Sequence, residues 1–195
     1  FRRLGAGEVD VLAASWLPAS HQKYLAPIAS EVTKLTVLYE PYCIWAVPDY
    51  VPEGELGAVE DLLKPKIAER VDKVLQGINA GAGISRFSVQ MVEAYGLRDL
   101  GYEFRTGSER DCFERVARGC EAGEWFVVPL WHPQYLHHRY ALRELVESKG
   151  MLGGKDEATL LVRNDALARL PDQLVAEWKN LYIGNDGISA LDHRL

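Results

Sequence analysis

The chain contains no apolar run approaching the ~20 residues that a helix needs to cross a bilayer. It also shows no signal peptide, and it opens Phe1-Arg2-Arg3 without a starting Met, so the expectation is that residues are missing upstream. Cysteine is scarce. Cys43, Cys112 and Cys120 are odd in number, and the last two sit on one predicted helix, roughly 12 Å apart at about 1.5 Å rise per residue, too far for a bridge. They read as buried small hydrophobes that fit either redox compartment. Positive charge is in deficit, 22 basic against 28 acidic residues, and no basic cluster is interleaved with aromatics. That excludes nucleic acid as the expected partner.

Patterns of enzymatic chemistry are missing as well. Gly77, Gly81 and Gly83 lack the dinucleotide spacing, and no Lys follows them to make a phosphate loop. No Ser/His/Asp constellation and no paired carboxylates with a base stand out, so neither an enzyme nor a cofactor is expected. Metal ligands on a helix want spacings of three or four residues on one face. His132 and His137 instead straddle Pro133, and His137 and His138 point in different directions, so no metal is expected. A solvated helix face is the reading for His137, His138 and Arg139.

What is present is an ordinary folded composition, 48% hydrophobic and 26% charged over 195 residues, enough for one sizeable core or two small lobes. The chain is organised around residues 124–154. There, Trp125-Phe126-Val127-Val128 predicts a buried strand stopping at Pro129, where a ladder donor is lost. Leu136, Tyr140, Leu142, Leu145 and Val146 predict a helix, opened by Pro133 and closed near Gly150. The joint between them, Trp131-His132-Pro133-Gln134-Tyr135, is the first candidate site, because loops on a rigid scaffold are where binding chemistry is placed. The alternative is that Trp131 and Tyr135 merely pack a domain corner.

In chain order, strands are predicted over 9–13, 35–39, 42–47, 102–106 and 158–163. Helices are predicted over 22–32, 59–63, 67–75, 85–95, 108–120, 171–182 and 187–195, with Ser20 and Ser108 as caps. Pro48, Pro52, Gly54 and Gly57 form the best domain crossing. This alternation predicts an α/β fold with a largely parallel sheet. The glycine-rich turn over 77–84 precedes a helix, where backbone N–H groups suit an anion; the alternative is a plain turn needing positive φ. Trp16, Tyr42, Trp131, Tyr135 and Tyr182 fall at strand ends or turns, and two or three such faces around a dry pocket would hold a quaternary ammonium by cation–π attraction.

Several segments, in one order over nearly the whole chain, resemble the glycine betaine/choline substrate-binding proteins of ABC importers. Gly7-Glu8-Val9-Asp10 with Trp16-Leu17-Pro18-Ala19-Ser20-His21 and Tyr24 is similar to that family's G-D-x-D and W-L-P-x-T-H-x-x-Y segments. Ala46-Val47-Pro48-Asp49-Tyr50-Val51 resembles its A-V-P-x-Y-V crossing, and Gly77-Ile78-Asn79-Ala80-Gly81-Ala82-Gly83-Ile84 its G-I-D-P-G-A-G-I turn. Leu130-Trp131-His132-Pro133-Gln134-Tyr135 is similar to G-W-x-P-H-W. Arg139-Tyr140 with Leu142, then Lys149-Gly150 with Gly153-Gly154, resemble its K-Y-x-L and P-K-x-x-x-G-G pieces.

The resemblance implies a two-lobed type II periplasmic-binding-protein fold, with residues 1–47 and 132–195 in one lobe and 48–131 in the other. It also implies a periplasmic or extracellular, membrane-associated location, and delivery of a small quaternary-ammonium ligand to an ABC permease. Trp16 and Trp131 carry over as cage walls, and Gly81, Ala82 and Gly83 as a turn bordering the same cleft. His21 and Tyr42 join them as candidate ligand-binding residues. The family's third cage tryptophan falls here on about Leu181-Tyr182-Ile183, so the third wall is missing or is Tyr182, and Tyr135 stands where many relatives have a tryptophan. The family's first strand and helix find no counterpart before Phe1, which implies a fragment or a segment supplied elsewhere, and makes a homodimer an option. Other readings are a sensory module that borrowed the fold, or a binder of a different small amine or amino acid.

Overall fold

The computed structural model describes residues 1–194. It divides into two compact units, the first comprising Phe1–Pro41 with the chain from Lys155 onward, the second Tyr42–Gly154. The strands are β1 (Val11–Leu17), β2 (Val32–Tyr39), β3 (Tyr42–Pro48), β4 (Val74–Gln76), β5 (Glu103–Arg105), β6 (Val128–His132), β7 (Leu142–Glu144) and β8 (Glu157–Arg163).

In the first unit an antiparallel sheet runs β1-β8-β2, so the strand formed last in sequence is central. The β-branched and aliphatic run Ala158–Val162 is buried on both faces, as the middle strand of a covered sheet must be. One face meets Trp16, Tyr39, Trp178, Ile183 and Ile188; the other meets Leu4, Leu17 and Leu25. The helix expected over 22–32 is shorter, Gln22–Leu25, followed by a 3-10 turn Ala26–Glu31 and then β2. Pro27 removes an amide donor there and weakens an α-helical ladder.

In the second unit β3 lies between β6 and β7, again antiparallel, with Trp45, Ala46 and Val47 fully buried. The Trp45 indole donates to Ser88 Oγ at 2.8 Å, tying the sheet to the helix Gly83–Ala94. Only β4 and β5 pair in parallel among the described strands. The largely parallel sheet expected from the alternation is therefore corrected: the two larger sheets bring together strands distant in sequence, with opposite directions.

Three local expectations are also corrected. The strand of residues 125–128 runs instead from Val128 through Pro129 to His132. Proline is accepted because β6 is an edge strand, where an absent donor costs no inter-strand bond on the open side. The helix drawn from Leu136 to Val146 is a single turn, Leu136–Arg139, followed by β7. There the backbone of Leu142, Arg143 and Glu144 pairs with β3, and Arg143 Nη2 donates to the carbonyls of Val51 and Leu56 at 3.0 and 2.9 Å. Tertiary pairing overrides the helical propensity of that segment. The helix of residues 67–75 ends after Ala68, because Val74–Gln76 is taken into the parallel pair with β5.

The domain boundaries move for the same reason. Residues 42–47 and 132–154 pack with the second unit, not the first, since β3, the end of β6 and β7 share one sheet.

Candidate ligand-binding site

Of the five tryptophans, two are engaged structurally. Trp45 is buried with its N–H on Ser88. Trp125 is buried with the Arg70 guanidinium 3.6 Å above its ring, and a face already covered by a cation is not available to another. Trp178, on the helix Asp172–Lys179, is half-buried against the same core that Trp16 meets. Trp16 and Trp131 are set apart by their position, each half-buried and each two residues before a cis proline, Pro18 and Pro133.

Trp16 sits near the end of β1. Its indole Nε1–H donates to the Tyr39 hydroxyl at 3.0 Å, with the two rings at 90°. The turn that follows is closed by His21, whose Nδ1 accepts the Trp16 backbone N–H at 2.9 Å while the His21 N–H donates to the Trp16 carbonyl at 2.8 Å. Nδ1 therefore carries no proton. Asp156, only 3% exposed, accepts the N–H groups of Ala19 at 2.7 Å and Ser20 at 3.1 Å. A carboxylate holding two amides is a strong anchor, so the segment carrying Trp16 is fixed at both ends. His21 thus serves the turn geometry. Tyr182, by contrast, is 64% exposed, between the helices Asp172–Lys179 and Gly184–Asp192.

In the second unit, Trp131 lies on the edge strand β6 opposite Cys43. Phe113, from the helix Glu109–Ala122, packs against both Trp131 (6.1 Å between centroids) and Tyr135 (5.5 Å, edge to face). Tyr42 is directed differently: it stacks on His132 at 4.9 Å, and its hydroxyl donates to Glu144 at 3.3 Å. Burial pushes the Tyr42 hydroxyl above its ordinary value, helped by the Glu144 charge. His132 also stacks on His137, whose Nε2 is 3.1 Å from the Trp131 carbonyl. The expected solvated role of His137 is corrected: it is half-buried in this stack. Among the described residues no group of three or more His, Cys, Asp or Glu could hold a metal ion.

The glycine-rich turn leads into the helix Gly83–Ala94 with Ala82 as its N-cap residue. The Gly81 N–H donates to Asn79 Oδ1 at 3.1 Å, Arg86 reaches back to the Gly81 carbonyl at 2.6 Å, and Ser85 Oγ donates to the Ile78 carbonyl at 3.1 Å. Gly77 is glycine for packing, not for positive φ: an added Cβ would lie 2.2 Å from Phe104 Cζ. Tyr39, Phe113 and Asp156 escaped the sequence reading, because nothing local marks a residue whose importance comes from a partner on another strand or helix.

A family model, the substrate binding domain of ABC-type glycine betaine transport systems, matches residues 1–195. Among solved structures, the glycine/betaine/L-proline-binding protein ProX of Borrelia burgdorferi is 27% identical with a TM-score of 0.82, covering 99% of this chain and 71% of that one. Lactococcal OpuAC, closed on glycine betaine, is 20% identical with a TM-score of 0.83, covering 98% of this chain and 72% of that one. These matches make the mixed α/β architecture that of the two-lobed type II periplasmic binding proteins. The glycine betaine/carnitine transport binding protein GbuC of Listeria monocytogenes is 24% identical over 100 residues, 51% of this chain and 33% of that relative. The chain thus matches about a third of that curated relative's length.

Proposed function

The chain belongs to the substrate-binding domain family of ABC-type glycine betaine transport systems, and from that premise we propose that it is the solute-binding component, or the larger part of one, of an importer for a quaternary-ammonium compatible solute. Glycine betaine, proline betaine, choline and carnitine are the candidate ligands, the permease of the importer is the partner, and the place of work is outside the cytoplasmic membrane. The observation that carries the reading is the family match over residues 1–195. The names of the Borrelia and Listeria relatives, which bind betaines, proline or carnitine, support it.

The chemistry of Trp16 and Trp131 supports it further. A trimethylammonium group has no proton to donate, so recognition relies on aromatic faces, each worth about 0.5 to 2 kcal/mol depending on desolvation. Trp16 and Trp131 are the proposed aromatic contacts, with Tyr135 beside the latter and Tyr182 as a further candidate. The backbone N–H groups at the start of the helix Gly83–Ala94 suit the carboxylate of a betaine. His21 and Tyr42 support the segments that carry the tryptophans.

Isothermal titration with glycine betaine, choline, carnitine and proline betaine tests the reading. Saturable micromolar binding by at least one of them is expected. Absence of heat from all, with binding of an amino acid or polyamine instead, would overturn the ligand class.

A further inference from the structure

In the β1-β8-β2 sheet, Trp16 and Tyr39 are paired with the same residue of the central strand, Ala158. Directly opposed residues of antiparallel strands project to one face. The three side chains therefore form a row, and with strands about 4.8 Å apart the outer two backbones are separated by roughly 10 Å. Their rings close the gap above the alanine, with centroids 6.5 Å apart and the indole N–H 3.0 Å from the tyrosine oxygen. Ala158 is fully buried beneath them. A branched side chain would fill the space into which the rings lean.

This row depends on irregular strands. Continuing the pairing of Val11 with Val162 and Leu12 with Leu161 would set Trp16 opposite Glu157, on the other face of the sheet. A register shift between Leu12 and Ser15 corrects that, and it contains Ala14 at φ 59°, a left-handed backbone that a Cβ disfavours. In β2, continuing the pairing of Val32 with Arg163 would set Tyr39 opposite Asp156; shifts between Lys34 and Thr36 and between Val37 and Tyr39 bring it to Ala158 instead. Bulges re-aim side chains beside functional sites, and here all of them converge on one hydrogen bond.

We propose that Tyr39 is a positioning residue for ligand binding, holding the Trp16 indole over Ala158 with its face preset for a quaternary-ammonium group, and that the small size of Ala158 is what permits it. The ligand in this inference rests on the functional reading above. A ring already fixed loses less rotamer freedom when the ligand arrives. Donation by the indole N–H also polarises the ring toward higher electron density, which strengthens its attraction for a cation.

The test uses Tyr39→Phe and Ala158→Val in the full chain. Titration with glycine betaine and choline is read beside the indole N–H resonance of Trp16, assigned by its loss in Trp16→Phe. The wild-type resonance is expected to be protected from exchange, and Tyr39→Phe to shift and deprotect it while weakening binding about 3- to 10-fold, the usual range for one neutral hydrogen bond. Ala158→Val is expected to reproduce both effects. Wild-type affinity in Tyr39→Phe overturns the proposal. If the wild-type chain binds neither ligand, the functional reading fails separately, and the indole decides the positioning role: exchange as fast in wild type as in Tyr39→Phe overturns it.

Discussion

His132 and His137 lie face to face, their ring centroids 3.7 Å apart and their planes within 14°. Burial pushes both imidazoles below their ordinary value, and for His137 the neighbouring His132 adds to the effect. Glu144, 3.3 Å from His132 Nε2, His138 and the Tyr42 phenol stacked on His132 are the other charged or titratable groups facing the pair among the described residues. Two stacked imidazolium ions would repel, so the stack disfavours the doubly protonated pair.

The sign of its pH dependence follows. Between the lowered folded values and about 6.5, the unfolded chain binds more protons than the folded one. The stack's contribution to stability is full above about pH 6.5, is lost as the pH falls from there through the folded values, and then levels off. Thermal unfolding from pH 8 to pH 5 should show this fall, and His137→Phe, which keeps a ring but no proton, should flatten it. An equally steep fall in the variant would refute the assignment.

Asp156 is the only described side chain accepting the amides of both Ala19 and Ser20. Asp156→Ala leaves two donors without their charged acceptor and is expected to cost roughly 2 to 4 kcal/mol in urea unfolding. Asp156→Asn, which retains one acceptor oxygen, should fall between the variant and wild type. Equal stability of all three would remove Asp156 as the anchor of the turn after Trp16.

Phe113 supports Trp131 and Tyr135 from the helix Glu109–Ala122. If Trp131 is a ligand contact, Trp131→Ala should abolish betaine binding and Phe113→Ala should weaken it about 3- to 10-fold through a loosened ring. Phe113→Leu, closer in volume, should lose less. Titration reads all three, and full affinity in Trp131→Ala would eliminate that residue from the site.

Gly77 and Phe104 make a packing pair. Gly77→Ala would bring a Cβ within 2.2 Å of Phe104 Cζ and 2.4 Å of Cε2, and overpacking of this kind costs about 1 to 3 kcal/mol. The double variant with Phe104→Leu should recover part of that loss in denaturant titrations. Additive costs in a double-mutant cycle would mean that the two positions are independent.

Local signals were read well where local physics decides. Ser108 with Asp111 three residues on announces a helix start, and both halves of that capping box form. The β-branched runs of β2, β3 and β8 likewise appear as strands. Residues 140–146 did not declare themselves: leucine, arginine and glutamate favour a helix, and only the open edge of β3 makes Leu142–Glu144 a strand. Pro129 misleads for a similar reason, since a sequence does not announce which strand is at an edge. Trp16 and Trp131 stand out in the sequence through the motifs that carry them, whereas the contact of Trp16 with Tyr39 arises only from the register of two strands against a third.

That arrangement also bears on how the chain emerges from the ribosome. β1 and β2 pair with β8 and not with each other, and β8 follows the whole of the second unit. The second unit, being one uninterrupted segment, has every strand of its sheets in hand before Lys155 is synthesised. Among the described strands, β1 and β2 lack their shared partner until β8 is made. For that interval the nascent chain carries one lobe with all its strands made and, in the other, two strands without the partner they share, and those strands are the part of the polypeptide on which a chaperone that shields exposed strands would act.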